Sequence, residues 1–126
     1  MPASPMYKLI ILIEPQADSE EFERRWPEFL AAAERMPGLL RETTSRVDRV
    51  LHGSFPVERV HELYFDSLKA AAEAMGSPEG EAAGQVLQAI SGGAVTLLFA
   101  DHTQDELSHI RRHTRGDADV PPGDRA

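Results

Sequence analysis

Blocks of hydrophobic residues follow two periodicities along the chain, and these predict where strands and helices alternate. Residues 6–13, MYKLIILI, form a short apolar run that Pro15 ends, which is typical of a strand. Residues 39–53 contain several Thr and Val residues but are markedly polar, so they predict an exposed or edge strand. Residues 57–65 alternate in the two-residue period of a third strand, and residues 94–100, AVTLLFA, form a fourth. The first and fourth strands are apolar on both faces, so both faces need a cover.

The stretch between the first two strands has the 3.6-residue period of a helix. Asp18 is the predicted N-cap, and Glu21 three residues later completes a pattern like a capping box. The helix is expected to run to about Met36, where Pro37–Gly38 stops it. Pro27 should cost a helix interior about 3 kcal/mol, so it predicts a kink or a break. The apolar positions form one stripe: Phe22, Trp26, Phe29, Leu30, Ala33 and Met36.

A second helical region lies between the third and fourth strands and is divided at Gly76. Ser67 is an N-cap candidate for its first part. Ser77 is a second N-cap candidate, with Pro78 at the first helical position, where a missing N–H costs little. Gly92–Gly93 ends the region before the fourth strand.

The predicted order of elements is β-α-β-β-α-β, with the second helical segment in two pieces. This order matches the α+β ferredoxin-like motif, in which helices cover one face of a four-stranded antiparallel sheet. The other face is left without helices, although strands one and four are apolar there too. A second copy of the chain, packed sheet against sheet into a dimeric α/β barrel, is the economical cover.

Composition and charge exclude several classes of partner. The 126-residue chain has a net charge of −8, which argues against nucleic acid and anionic membranes, because both attract a basic surface. It has no cysteine, so disulfides, thiolate metal sites and thiol nucleophiles are excluded. The longest apolar run, residues 9–13, is far too short to span a membrane, and no secretory signal is read at the start. A cytoplasmic protein is expected.

Four stretches carry a resemblance to a known family: YKLIILI, FERRWPEFLAAAERMPGL, ELYFDSLKAAAEAMGSPEGEAAGQVL and GGAVTLLFAD. Together they make residues 6–101 similar to the EthD family of dimeric α/β-barrel proteins, with residues 102–126 as a polar extension that is flexible or packs on the dimer. The resemblance implies a homodimer with a small cavity in each subunit. The family is named for a bacterial gene cluster for ether degradation, and relatives in polyketide pathways resemble dehydratases or decarboxylases.

The sequence departs from the family at one position that matters for catalysis. Many members place a histidine on the first helix, about eight residues after the position of Phe22. Here Phe29 and Leu30 occupy that region, and the helix proline comes earlier, at Pro27. A general acid or base at that place is therefore missing.

Glu62 and Tyr64 are the candidate catalytic residues. They lie two apart on the third strand and so share a face, where a shielded carboxylate beside a phenol could transfer protons. The alternative is structural: Glu62 would pair with an arginine such as Arg46 on the neighbouring strand, and Tyr64 would be packed.

Candidate ligand contacts come from the first helix and the second and third strands. Trp26 and Phe29 could line a cavity for an aromatic compound, although such a stripe is usually core. His61 and Arg46 are further candidates; His61 shares a face with Arg59, which would disfavour the charged imidazole.

No cofactor is expected. No Gly-rich phosphate loop follows a strand, which argues against nucleotide use, and no serine sits in a nucleophile elbow, which argues against acyl-enzyme chemistry. A metal is also unexpected. His109 and His113 have helical i, i+4 spacing, but no third ligand is fixed.

The predicted function is a small cavity for an apolar or aromatic compound. Lyase, isomerase or oxygenase chemistry without a cofactor, in a degradation or polyketide-type pathway, could take place there. The alternative is an accessory or ligand-binding protein without catalysis, which the missing helix histidine favours.

Overall fold

A computed structural model describes residues 6–104, which form a four-stranded antiparallel sheet with three helices. The elements, in chain order, are β1 (Met6–Ile13), α1 (Ser19–Ala33), β2 (Arg41–Arg46), β3 (Arg59–Phe65), α2 (Leu68–Gly76), α3 (Pro78–Ser91) and β4 (Val95–His102). The strand order is β2-β3-β1-β4, so the sheet has the ferredoxin-like arrangement that the sequence predicts. The strand predicted over residues 39–53 is shorter than expected, but it is an exposed edge strand.

Helix α1 is one continuous helix, and Pro27 does not split it. Asp18 caps it as predicted, because its carboxylate accepts a hydrogen bond from the Glu21 backbone N–H at 3.0 Å. Pro27 lies on the exposed side, while Trp26 and Phe29 beside it are buried. Packing of the apolar stripe on both sides of the proline therefore outweighs the local cost of the missing donor.

Helices α2 and α3 meet at a tight corner at Ser77. The Ser77 hydroxyl accepts a hydrogen bond from the Gly80 N–H at 3.0 Å, and it donates one to the Ala74 carbonyl at 2.6 Å. A Cβ atom on Gly80 would lie 2.0 Å from that carbonyl oxygen, so only glycine fits this position.

The core lies between the three helices and one face of the sheet. Alternate residues of β1, namely Leu9, Ile11 and Ile13, are buried on that face, and Leu63 and Phe65 of β3 join them. The remaining core residues come mainly from the helices, and include Phe22, Trp26, Phe29, Ala33, Ala71, Ala74, Ala83, Leu87 and Ile90. All helices of residues 6–104 are too short or too polar to span a membrane.

The opposite face of the sheet, which we call the open face, carries no helix within residues 6–104. Ile10 and Leu12 of β1 lie there, half-buried, beside Leu98 of β4. Strand β4 is an edge strand, and the apolar side chains Leu97, Leu98 and Phe99 are 38–44% exposed on its two faces. The strand is thus apolar on both faces, as predicted, and in this part of the chain much of that surface is uncovered.

Candidate functional site

The sheet separates the predicted site residues into two groups. Trp26, Phe29 and His61 come together between α1 and the sheet. Glu62 and Tyr64 share the open face, as the two-residue period predicts. The six candidates therefore cannot form a single site in one chain.

The aromatic cluster on the helix side is centred on His61. The His61 ring centroid lies 5.2 Å from that of Trp26 and 5.6 Å from that of Phe29, edge to face in both cases. His61 is 0% exposed, so solvent does not reach its imidazole. Its surroundings are those of a packed core residue.

Both imidazole nitrogens of His61 have partners on β2. Nδ1 lies 2.8 Å from the Thr44 hydroxyl, and Nε2 lies 3.0 Å from Oε2 of Glu42. Burial, followed by the charge of Arg59, lowers the pKa of His61 from 6.5 to about 4. A neutral imidazole has one donor and one acceptor nitrogen, so Nε2–H donates to Glu42 and Nδ1 accepts from Thr44.

Glu42 is a titratable group with an unusual pKa. Burial, followed by the nearby carboxyl of Glu34, raises the pKa of Glu42 from 4.5 to about 7. Its side chain is 19% exposed, in contrast to the fully buried His61. Glu42 is therefore partly ionised near neutral pH and retains some access to solvent.

Arg59 completes the helix-side cluster. Its guanidinium carbon lies 4.6 Å from the Trp26 ring centroid and 5.3 Å from that of Phe22, and a terminal nitrogen pairs with Glu23. Arg46 pairs with the same carboxylate, but its side chain is 74% exposed. Arg46 thus lies at the outer edge of the cluster.

An apolar pocket lies beside this cluster, between α1, α3 and the sheet. Its empty volume of about 270 Å³ includes the part that is open to solvent. Phe29 lines it, whereas Trp26 stands behind Phe29 at a centroid distance of 5.1 Å. The lining consists of apolar side chains and glycines: Leu9, Ile11, Phe29, Met36, Leu63, Met75, Gly80, Ala83, Gly84, Leu87 and Leu97.

The residues of the open face make different contacts from those expected. Glu62 pairs with Lys8 of β1, which lies diagonal to it because Ile10 is directly opposite, and both side chains are less than 20% exposed. The predicted alternative, an ion pair between Glu62 and Arg46, is wrong, because Arg46 lies on the helix side of the sheet and pairs with Glu23. Tyr64 is 4% exposed, with Arg41 4.4 Å and Lys8 5.5 Å from its ring centroid.

Sequence reasoning missed Glu42 and Thr44, the two partners of His61. They are two residues apart on β2, so they share a face, but the pairing of β2 with β3 decides which residues they meet. Thr44 is directly opposite His61 in that register. The sequence pattern alone does not predict this pairing of Thr44 with His61.

Within residues 6–104, no group of three or more His, Asp or Glu side chains is arranged to hold a metal ion. His109 and His113, the two histidines with helical spacing, lie outside the described residues.

Comparison with known proteins identifies relatives of the whole described fold, although no family model matches the chain. An uncharacterized 11.0 kDa protein from the thcB-thcC intergenic region of Rhodococcus erythropolis is 30% identical over 98 residues, which are 76% of this chain and 94% of that protein. The crystal structure of an EthD family protein from Bacillus halodurans has a TM-score of 0.71 and 26% identity, and covers 77% of this chain and 98% of its own. The chain is thus similar to an EthD family protein over nearly the whole of that protein.

Further structural similarity extends beyond the EthD family. SnoaB, a cofactor-independent oxygenase from Streptomyces nogalater, has a TM-score of 0.55 and 19% identity; the match covers 82% of this chain and 96% of SnoaB. At this identity the likeness concerns the fold alone. The similarity to an EthD family protein confirms the resemblance that the sequence indicates, and the ferredoxin-like fold is shared more widely.

Proposed function

We propose that this EthD-like protein binds an apolar or aromatic small molecule in the pocket between its helices and its sheet. The observation that carries this proposal is the lining, in which apolar side chains and glycines alone surround the space. Sites for small molecules are concave and mostly apolar, with a few polar groups that fix orientation. Because the lining has no acid, base or nucleophile, binding is its primary role.

The pocket must widen to admit an aromatic ring. The enclosed space amounts to only about 20 Å³, room for about one water molecule, whereas typical ligand sites have roughly 300–1,000 Å³. Met36 and Met75 both line it, and methionine is the most adaptable apolar side chain because it is unbranched and has three rotatable bonds. Rotation of these side chains is the expected route of opening.

The protein is also proposed to be a homodimer. Ile10, Leu12 and Leu98 lie on the open face, which has no helix over it in the described part of the chain. A second copy packed on this face would bury these side chains, as EthD family resemblance implies. It would leave the pocket, on the other side of the sheet, free to bind a ligand.

Naphthalene is a suitable probe of the pocket, because Trp26 is the single tryptophan and touches Phe29, which lines it. Titration should change the fluorescence of Trp26 and raise the melting temperature. Gly84→Leu should abolish both effects, because Gly84 lines the pocket and has open space around its Cα. Ala82→Leu, on the exposed side of the same helix, is the control. Equal binding by Gly84→Leu would place the ligand elsewhere, and no binding by wild type would contradict the proposal.

Proton transfer by Glu62 and Tyr64 on the open face is a second candidate function. It is favoured by one observation, the shielding of both side chains beside Lys8. Exchange of the α-protons of 2-tetralone in D₂O, followed by NMR, tests it. Glu62→Gln should slow the exchange by roughly 100-fold or more. An unchanged rate, or exchange no faster than in buffer, would reject this candidate.

A further inference from the structure

The mouth of the apolar pocket lies between α3 and β4. Of the residues that line the pocket, Gly84 of α3 and Leu97 of β4 are exposed, whereas the others are buried or half-buried. Leu97 is 44% exposed, and so is Phe99, which lies two residues further along the same face of β4. Because solvent reaches the lining at Gly84 and Leu97, a ligand enters between them, and its outer end lies beside α3.

A shallow groove follows the surface of α3 from this mouth, and we call it the outer groove. Gly84 lines both the outer groove and the apolar pocket, and it has no side chain that would separate the two spaces. Glu81 and Gln88 lie three residues before Gly84 and four after it, so they share its face of the helix. The remaining residues of the outer groove are Gln85 and Ala89.

The outer groove offers hydrogen-bonding groups without charge along most of its length. Gln85 and Gln88 each carry an amide that can both donate and accept a hydrogen bond. Residues 82–91 contain no charged side chain, although 27% of the whole chain is charged. Glu81 supplies a carboxylate at one end of the groove, where it repels an anionic ligand. The groove therefore suits a polar group that is neutral.

We propose that the pocket and the outer groove form one amphipathic site, which takes a compound with an apolar body and a neutral head that carries a hydroxyl or amide group. The body fills the pocket, and the head emerges past Gly84 and forms hydrogen bonds with Gln85 and Gln88. The two glutamines are thus specificity-determining residues. This inference rests on the proposed pocket, but it goes beyond it by naming the chemical class of the ligand.

Two probes that differ in a single hydroxyl group test the proposal: 2-naphthylmethanol and 2-methylnaphthalene. Their dissociation constants are measured by calorimetry, and their ratio reports the contribution of the hydroxyl group. Replacement of both glutamines, Gln85→Ala with Gln88→Ala, should weaken binding of the alcohol about 3–10-fold and leave the hydrocarbon unchanged. Both side chains are exposed, so this variant should fold, which circular dichroism checks. Lys69→Ala, a truncation on the exposed side of α2, should behave like wild type.

A third probe, 2-naphthoate, tests whether the head must be neutral. Wild type should bind this anion more weakly than the alcohol, because its carboxylate lies near Glu81. Glu81→Gln should strengthen binding of 2-naphthoate about 2–5-fold at low salt and leave the alcohol unchanged. The gain should shrink in 1 M NaCl, because salt screens exposed charges.

The outcomes separate this inference from the proposed function. If 2-methylnaphthalene binds but the ratio stays the same without the two glutamines, the pocket stands and the outer groove does not hold the head. If 2-naphthoate binds as tightly as the alcohol in wild type, the preference for a neutral head is overturned. If none of the three probes binds, the proposed function fails and this inference fails with it.

Discussion

At the residue scale, His61 and Glu42 form a hydrogen-bonded pair whose pKa values shift in opposite directions. The pKa of His61 falls from 6.5 to about 4, while that of Glu42 rises from 4.5 to about 7. Between pH 4.5 and 6.5 the unfolded chain keeps the proton on His61, and the folded protein keeps it on Glu42. Folding then moves a proton from one residue to the other, with little net uptake or release.

This pair predicts how stability depends on pH. The contribution of His61 is complete above pH 6.5 and is lost as the pH falls toward 4, because its folded pKa is lowered. The contribution of Glu42 is complete below pH 4.5 and is lost as the pH rises toward 7, because its folded pKa is raised. From pH 4.5 to 6.5 the two contributions to the free energy of unfolding change in opposite directions with pH and therefore largely cancel.

In Glu42→Gln, the free energy of unfolding should show the pH dependence that comes from His61 alone. In this variant the free energy of unfolding should rise with pH between 4.5 and 6.5, relative to wild type, by as much as about 1.4 kcal/mol per pH unit. Urea denaturation at pH 4.5, 5.5 and 6.5 measures the difference. If the free energy of unfolding changed with pH equally in wild type and variant, folding would not move a proton from His61 to Glu42.

The sequence predicts residue faces better than residue partners. The two-residue period correctly puts Glu62 with Tyr64 on one face of β3 and His61 with Arg59 on the other. The partner of Glu62 is Lys8 on β1. The register of β1 with β3 brings the two side chains together, and the tertiary fold decides that register.

At the element scale, two glycines of α3 provide a matched pair. Gly80 and Gly84 are one helical turn apart, but their surroundings differ. A Cβ on Gly80 would lie 2.0 Å from the Ala74 carbonyl oxygen and 2.7 Å from that of Met75, whereas a Cβ on Gly84 meets nothing within 4 Å. The corner between α2 and α3 therefore depends on one glycine and not on the other.

Alanine substitution should change stability in opposite directions at these two positions. Gly84→Ala should stabilise the protein by about 0.5–1 kcal/mol, because alanine loses less backbone entropy in a helix. Gly80→Ala should destabilise it by about 1–3 kcal/mol, since α2 and α3 must move apart. Chemical denaturation measures both, and a stabilising Gly80→Ala would contradict the described corner.

Helix α1 shows why element bounds are harder to predict than element types. The sequence identifies the helix, its N-cap Asp18 and its buried stripe correctly. It does not predict that the helix passes Pro27 intact, because packing of Trp26 and Phe29 on the core outweighs the local penalty. The helix ends at Ala33, and Met36 is buried in the turn that follows it.

At the scale of the whole molecule, the sheet divides two roles. The helix side holds an apolar pocket, and the open face carries Ile10, Leu12 and Leu98. The order of elements predicts one sheet face under helices and one without them, but it does not predict which face lines a cavity. The residues that line the pocket could not be identified from the sequence, because each has the pattern of an ordinary core residue in its own helix or strand.

Sedimentation equilibrium at micromolar concentration measures whether the protein forms a homodimer through the open face. Wild type should sediment at twice the chain mass of 13.9 kDa. Leu98→Lys, which places a charge on the open face, should shift it toward a single chain, whereas Ala82→Lys on the exposed side of α3 should leave the dimer intact. Wild type at 13.9 kDa, or a Leu98→Lys variant as dimeric as wild type, would contradict a homodimer formed through the open face.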